Sequence, residues 1–140
     1  MPAAGNYITQ SDLEDAFGAD NIAAWSNYDN DTTTANTSAI TAAILKGEQW
    51  VLNRFRGSRY AVPLVCLDAT ADPVISDAMA TAAVWFLYRG RGIRDGAAEN
   101  RIGPLLDAAA VEIRKIVQGS LQINYQTKET RPVQVPSVAP

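Results

Sequence analysis

The apolar positions of this chain recur mostly at intervals of three and four residues, which predicts a series of helices. In the first such stretch, Thr9 and Asp12 have the spacing of a capping box, and Gly18 supplies a helix stop. A second short helix is predicted over residues 20–26, and the polar residues 27–37 after it have the composition of a loop. The N-terminal part is therefore predicted to hold two short helices.

The longest amphipathic helix is predicted to start at Thr37, which we expect to be its N-cap. Its apolar side chains repeat with the helical period, at Ile40, Ala43, Ile44, Val51 and Phe55. This helix runs into residues 59–64 (RYAVPL), where Pro63 forces a turn because a proline does not continue a helix. Tyr60 and Leu64 make this connector apolar, so we expect it to pack against a core or a partner. For Tyr60 we expect the core first and an interface second.

Two more helices are predicted in the second half of the chain. The Asp-Pro pair at residues 72–73 suits the start of a broadly apolar, central helix that ends near residue 90. The last helix is predicted to begin or break at residues 103–104 (Gly-Pro) and to stop at Gly119. A glycine-rich basic loop, residues 89–96, lies between these two helices.

The C-terminal sequence changes character at Leu121. Leu121, Ile123 and Tyr125 alternate with polar residues, as in a strand. Residues 126–140 contain three prolines among several valines, and such a sequence does not form a helix. This tail is predicted to be either disordered or paired with another molecule, for instance by strand addition.

The predicted fold class is therefore all-α. It is a small bundle of about four to five helices over residues 1–120, with an extended, β-prone C-terminal tail over residues 121–140. The composition, 47% hydrophobic and 19% charged, is typical of a folded globular protein. No apolar run approaches the ~20 residues that span a bilayer, so we expect no membrane association. We also expect no secretory signal and a protein made in the host cytoplasm. The single cysteine, Cys66, excludes an internal disulfide.

The sequence offers no pattern of catalytic residues. It contains no histidine, which removes the commonest general base and the commonest metal ligand. Residues 29–31 (DND) resemble the opening of a calcium loop, but Thr34 and Ile40 stand where that loop needs glycine and glutamate. We therefore predict that the protein is not an enzyme and has no cofactor or metal site.

Charge is distributed unevenly along the chain. All 12 basic residues lie at or after Lys46, so residues 1–45 carry a net charge of −6 and the remainder +3. Two interpretations remain open. The acidic part is a solvated face, or surfaces of opposite sign meet head-to-tail between identical subunits, an arrangement that closes rings when the rotation permits.

The residues most suited to an interface are aromatic, basic or β-prone. Trp50 lies at the edge of its helix stripe and is the best single anchor, and the arginines of the glycine-rich loop suit either acidic protein or phosphate, unless they are merely solvated. The predicted interface residues are Trp50, Arg59, Tyr60, Arg89, Arg91, Arg94, Leu121, Ile123, Tyr125, Val133 and Val135.

Several short sequences in a fixed order resemble a known family. They are residues 7–9 (YIT) before a short helix, residues 59–64 after the long helix, and residues 87–90 (LYRG) and 116–119 (IVQG) at the ends of the last two helices. Their order and spacing over residues 6–123 resemble the head–tail connector family (adaptor or head-completion proteins) of Mu-like tailed bacteriophages and prophages.

This resemblance implies a virion structural protein located in the neck, between capsid and tail. Such a protein forms a homo-oligomeric ring under the portal, expected to be dodecameric to match it, completes the capsid and joins it to the tail. The implied partners are the portal protein and a tail-terminator or other neck protein, while genomic DNA passes through the channel without sequence-specific binding. Related adaptors use an extended C-terminal segment to grip the portal or a neighbouring subunit. The family has no active site to carry over.

Two other functions stay open at this stage. One is a tail-completion or tail-terminator subunit, which binds the tail tube instead of the portal. The other is a small helical nucleic-acid-binding regulator that uses the basic loop over residues 89–96.

Overall fold

Five α-helices account for most of the residues that the computed structural model describes, which are 2–27, 34–58, 60–64, 73–90, 96–119 and Tyr125. The helices are α1 (Gln10–Phe17), α2 (Ala19–Ser26), α3 (Thr37–Phe55), α4 (Pro73–Gly90) and α5 (Gly96–Val117). None of the described residues lies in a strand longer than a single bridge, such as the one that pairs Ala4 with Thr9. The predicted all-α fold class is confirmed.

The start of α1 has the predicted cap. The Asp12 carboxylate accepts hydrogen bonds from the Thr9 backbone N–H, at 2.8 Å, and from the Thr9 hydroxyl, at 3.3 Å. The helix ends at Phe17, and its C-cap, Gly18, has a φ of 92°, which lies in a region that side-chain-bearing residues rarely adopt. Gly18 is also the residue before α2, so one glycine lets the chain change direction between two short helices.

The start of α3 differs from the prediction by one residue. Asn36, not Thr37, is the N-cap, because its side-chain oxygen accepts a hydrogen bond of 3.2 Å from the Ala39 N–H. Asparagine and threonine are both favoured N-cap residues. The N-cap is the one whose side chain accepts a hydrogen bond from a free N–H two or three positions later. Thr37 becomes the first residue of the helix instead.

The predicted start of α5 at residues 103–104 is wrong. The helix begins at Gly96 and continues through Pro104. A proline inside a helix leaves the carbonyl four residues earlier without its N–H partner. Pro104 is exposed, and on a solvent-facing side that carbonyl can bind water, which reduces the cost of the missing hydrogen bond.

Helix α4 is the centre of the bundle, as predicted, and packs against each of the other four helices. It approaches α3 closely at Gly47. A methyl group on Gly47 would lie 2.5 Å from the backbone nitrogen of Ala83 and 2.8 Å from the carbonyl oxygen of Met79. The two helix backbones are therefore almost in direct contact at this point.

The connector after α3 is buried in the chain's own core. Tyr60 is 1% exposed and makes an edge-to-face contact with Phe55, with ring centroids 5.7 Å apart. Leu64 is also buried, and the peptide bond between Val62 and Pro63 is cis. The expectation that this apolar connector packs against a core is confirmed.

Candidate functional site

A buried carboxylate holds the N-terminal segment against α3. Glu48 is only 2% exposed, although glutamate is seldom buried without partners. Its Oε1 accepts a hydrogen bond from the backbone N–H of Asn6 at 3.0 Å, and its Oε2 accepts from Tyr7 at 2.6 Å and from Ile8 at 2.9 Å. Three successive backbone donors thus surround one carboxylate, as they surround an anion in a backbone nest.

Residues 2–9, which we call the N-terminal hook, are shaped to make this contact. The Ala3 carbonyl accepts from the Gln10 N–H at 2.8 Å, and the Gln10 side chain accepts from the Ala3 N–H at 3.0 Å. At Gly5, a methyl group would lie 2.5 Å from an Ile44 methyl and 2.6 Å from Glu48 Oε2. Only a glycine lets the hook approach α3 this closely.

The sequence contains a signal for this anchor besides the helical period. The apolar stripe of α3 passes from Ile44 to Val51, and the helical period places positions 47 and 48 on the same buried face. Gly47 and Glu48 interrupt that stripe. A glycine and a charged residue at core positions indicate a close helix contact and a buried charge with partners.

The predicted anchor Trp50 stacks against the exposed side chain of Arg54. The guanidinium carbon of Arg54 lies 3.4 Å from the centroid of the Trp50 ring, and its Nη1 donates a hydrogen bond of 3.0 Å to the Trp50 carbonyl. The Trp50 side chain is partly buried against the core. Desolvation lowers the pKa of Arg54 below its ordinary value. We call this pair the Trp50–Arg54 plate.

The other predicted interface residues fall into two groups. Tyr60 and Tyr125 are buried in the chain's own core, at 1% and 4% exposure, while Arg89 is exposed at the end of α4. The remaining residues lie outside the described part of the chain: Arg59, Arg91, Arg94, Leu121, Ile123, Val133 and Val135. Their role at an interface stays a prediction.

A shallow apolar groove runs between α4 and α5. It has a volume of about 270 Å³. Its lining residues are Val74, Asp77, Ala78, Thr81, Leu105, Ala109 and Glu112. Leu105 is 50% exposed, which leaves a large apolar side chain in solvent. Asp77 and Glu112 add negative charge to this apolar surface.

The negative charge continues from this groove onto α1. A second depression, of about 300 Å³ between α1 and α4, is lined by Asp12, Asp15 and again Asp77. We call Asp12, Asp15, Asp77 and Glu112 the acidic face. Within the described residues, the only cation within 4.0 Å of these carboxylates is Lys115, at 3.7 Å from Glu112.

This acidic face does not have the arrangement of a metal centre. In the part of the chain that the structure describes, no three carboxylate, cysteine or histidine side chains converge closely enough to hold a metal ion. Nor does that part contain a helix with the length and apolarity needed to cross a bilayer. The described surface offers a partly exposed aromatic–cation plate on α3 and an acidic, partly apolar face on α1, α4 and α5.

Comparison with known proteins identifies the family. No curated protein matches the chain. The family model described as "Bacteriophage Mu, Gp36" matches residues 7–138, which include all five helices and the part of the hook that Glu48 binds through Tyr7 and Ile8. The predicted relationship to Mu-like bacteriophages is therefore confirmed. Since the match spans nearly the whole chain, the protein belongs to the bacteriophage Mu Gp36 family.

Proposed function

We propose that this protein is a virion structural protein of the phage neck, a head–tail adaptor that forms a ring under the portal, completes the capsid and joins it to the tail. The observation that carries the proposal is the family match over residues 7–138, taken with the resemblance of residues 6–123 to head–tail connectors of Mu-like phages. The partners are the portal protein above the ring and a tail-terminator or other neck protein below it.

The geometry of the bundle suits a function performed by contact. Its buried charge, Glu48, is used to fix the N-terminal hook, and its solvent-facing features are the Trp50–Arg54 plate and the acidic face. Surfaces of opposite charge on different helices favour head-to-tail contacts between identical subunits. The net charge of −3 also gives the ring little attraction for the DNA that passes through it.

A retention assay tests the proposal. Purified portal and tail-tube proteins are immobilised separately, and the full chain is passed over each. We expect retention on the portal and not on the tail tube, and we expect ring-shaped particles by negative-stain electron microscopy. Retention on the tail tube alone would show a tail-completion subunit instead. Binding only to duplex DNA, with an affinity that falls steeply with salt, would show a nucleic-acid-binding regulator.

A chain that ends at Tyr125 tests the role of the tail in the same assay. Tyr125 is kept because its side chain is buried in the core. If the extended segment grips the portal, this chain loses retention while its helical circular dichroism stays that of the full chain. Undiminished retention would assign portal binding to the helical bundle.

A further inference from the structure

The cations at the C-terminal end of α3 have no carboxylate partner within the described residues. Arg54 and Arg56 are both exposed there, and no described carboxylate lies within 4.0 Å of either guanidinium. Arg54 is already partly desolvated by its position over the Trp50 ring, which adds an apolar surface to the charge. Tryptophan and arginine are the residue types most enriched at the energetic centres of protein interfaces.

The α4–α5 groove is apolar and carries negative charge, so it complements the Trp50–Arg54 plate. Its floor is apolar, its Leu105 is half exposed, and its two carboxylates, Asp77 and Glu112, belong to the acidic face. The only cation near them in the described part is Lys115, and an exposed ion pair of this kind contributes little. The groove volume of about 270 Å³ is at or below the lower limit of small-molecule pockets. A groove of this size can accommodate a protruding side chain.

We propose that the Trp50–Arg54 plate of one copy of this chain docks into the α4–α5 groove of a second copy, with the Arg54 guanidinium facing Asp77 and Glu112. A second copy is the favoured occupant because this one chain carries both surfaces: the cations Arg54 and Arg56 without a described carboxylate partner, and the carboxylates Asp77 and Glu112 of the groove. Charge complementarity of this kind fixes the register of a contact.

The contact is head-to-tail. No residue that lines the groove belongs to α3, so one chain presents the plate and the groove at the same time. A heterologous contact repeats from subunit to subunit and closes into a ring when the rotation permits. The inference therefore rests on the proposed ring and names the surfaces that join its subunits.

Charge reversal tests the pairing. Arg54→Glu and Asp77→Arg are each expected to weaken self-association by about tenfold or more in sedimentation velocity, since each places like charges opposite one another. The combined variant is expected to recover most of the loss. Arg114→Glu, which reverses another exposed arginine outside the plate, is the matched control. Thermal melts of all four variants check that these exposed positions leave the fold intact.

Disulfide trapping detects the contact even when association is weak. In a Cys66→Ala background, one protein carries Asn53→Cys beside the plate and another carries Thr81→Cys in the groove. We expect a disulfide-linked dimer when the two are mixed and oxidised, and none when either is oxidised alone.

The outcomes separate this inference from the proposed function. Rings or sedimentation behaviour unchanged by both charge reversals, or the absence of the mixed disulfide, overturn the inference while leaving portal binding intact. Failure of the unmodified chain to bind the portal counts against the adaptor function instead.

Discussion

The Glu48 carboxylate accepts a hydrogen bond of 2.6 Å from the backbone N–H of Tyr7, which lies 41 residues earlier in the chain. Hydrogen bonds to ionised acceptors are short and about twice as strong as neutral ones. This bond ties the N-terminal hook to the middle of α3. Because α1 follows the hook directly, the same bond fixes where α1 enters the bundle and packs on α4.

Glu48→Gln changes the shape of the side chain very little, but we expect it to destabilise the fold strongly. The amide keeps one oxygen, but its NH₂ group faces backbone donors that then lose their acceptor. Leaving buried donors unsatisfied costs about 1–3 kcal/mol, and we expect a loss of about 2 kcal/mol in the free energy of unfolding. Urea denaturation measures it.

Glu112→Gln is the matched control for this substitution. Glu112 is partly exposed and, among the described residues, forms an ion pair only with Lys115, at 3.7 Å, so the same change should alter stability by less than about 0.5 kcal/mol. Hydrogen exchange adds a local measurement. The amides of Asn6, Tyr7 and Ile8 should lose protection in Glu48→Gln, and unchanged protection would contradict the anchoring role.

Gly47→Ala tests the close contact of α3 with α4. The added methyl group would meet the Ala83 nitrogen at 2.5 Å, and backbone atoms do not move aside as flexible side chains do. Overpacking costs about 1–3 kcal/mol, which should exceed the gain of about 1 kcal/mol in helix propensity. Gly103→Ala is the control, since the nearest described atom beyond its own helix, on Trp85, would lie 3.9 Å from the added methyl group. Equal melting temperatures for the two variants would contradict the contact.

The features that this sequence predicts correctly are those caused by residues close together in the chain. The cap at Thr9 and Asp12 and the apolar stripe from Ile40 to Phe55 depend on residues close in sequence, and both appear in the structure. Gly47 and Glu48 are explained by Ala83 and by the hook, which are distant in sequence. Periodicity therefore indicated that their face is buried but not what lies against it.

The same distinction explains why the start of α5 was predicted wrongly and why the α4–α5 groove was not predicted. The cost of Pro104 inside a helix is smaller where its freed carbonyl can bind water, and exposure to water depends on the tertiary fold. Trp50 was recognisable as an edge position, whereas the α4–α5 groove consists of residues from two helices. Such a groove becomes visible only once the helices are packed.

Tyr60→Ala is expected to lower the stability of the isolated subunit substantially. Tyr60 is 1% exposed and packs edge-to-face on Phe55, so truncation leaves a cavity in the core. Replacing a buried aromatic residue by alanine costs about 3–5 kcal/mol, which corresponds to a fall in Tm of more than about 8 °C. Leu45→Ala, at a side chain that is 46% exposed, should change Tm far less. A Tyr60→Ala protein with normal Tm but impaired assembly would show a pure interface role.

Two substitutions separate the buried part of the C-terminal segment from the part proposed to bind the portal. Tyr125 is 4% exposed and belongs to the core, so Tyr125→Ala should cost about 2–4 kcal/mol in the free energy of unfolding. Val135→Ala, at a residue predicted to lie at an interface, is expected to leave Tm unchanged and to reduce retention on the portal.

 The measurement for both variants is a thermal melt followed by the portal retention assay. A Tyr125→Ala protein that melts normally would contradict the burial of this side chain. A Val135→Ala protein that melts normally and binds the portal as well as the full chain would remove Val135 from the proposed interface. Because the two substitutions are expected to affect different measurements, the pair locates where the core of the subunit ends and its binding segment begins.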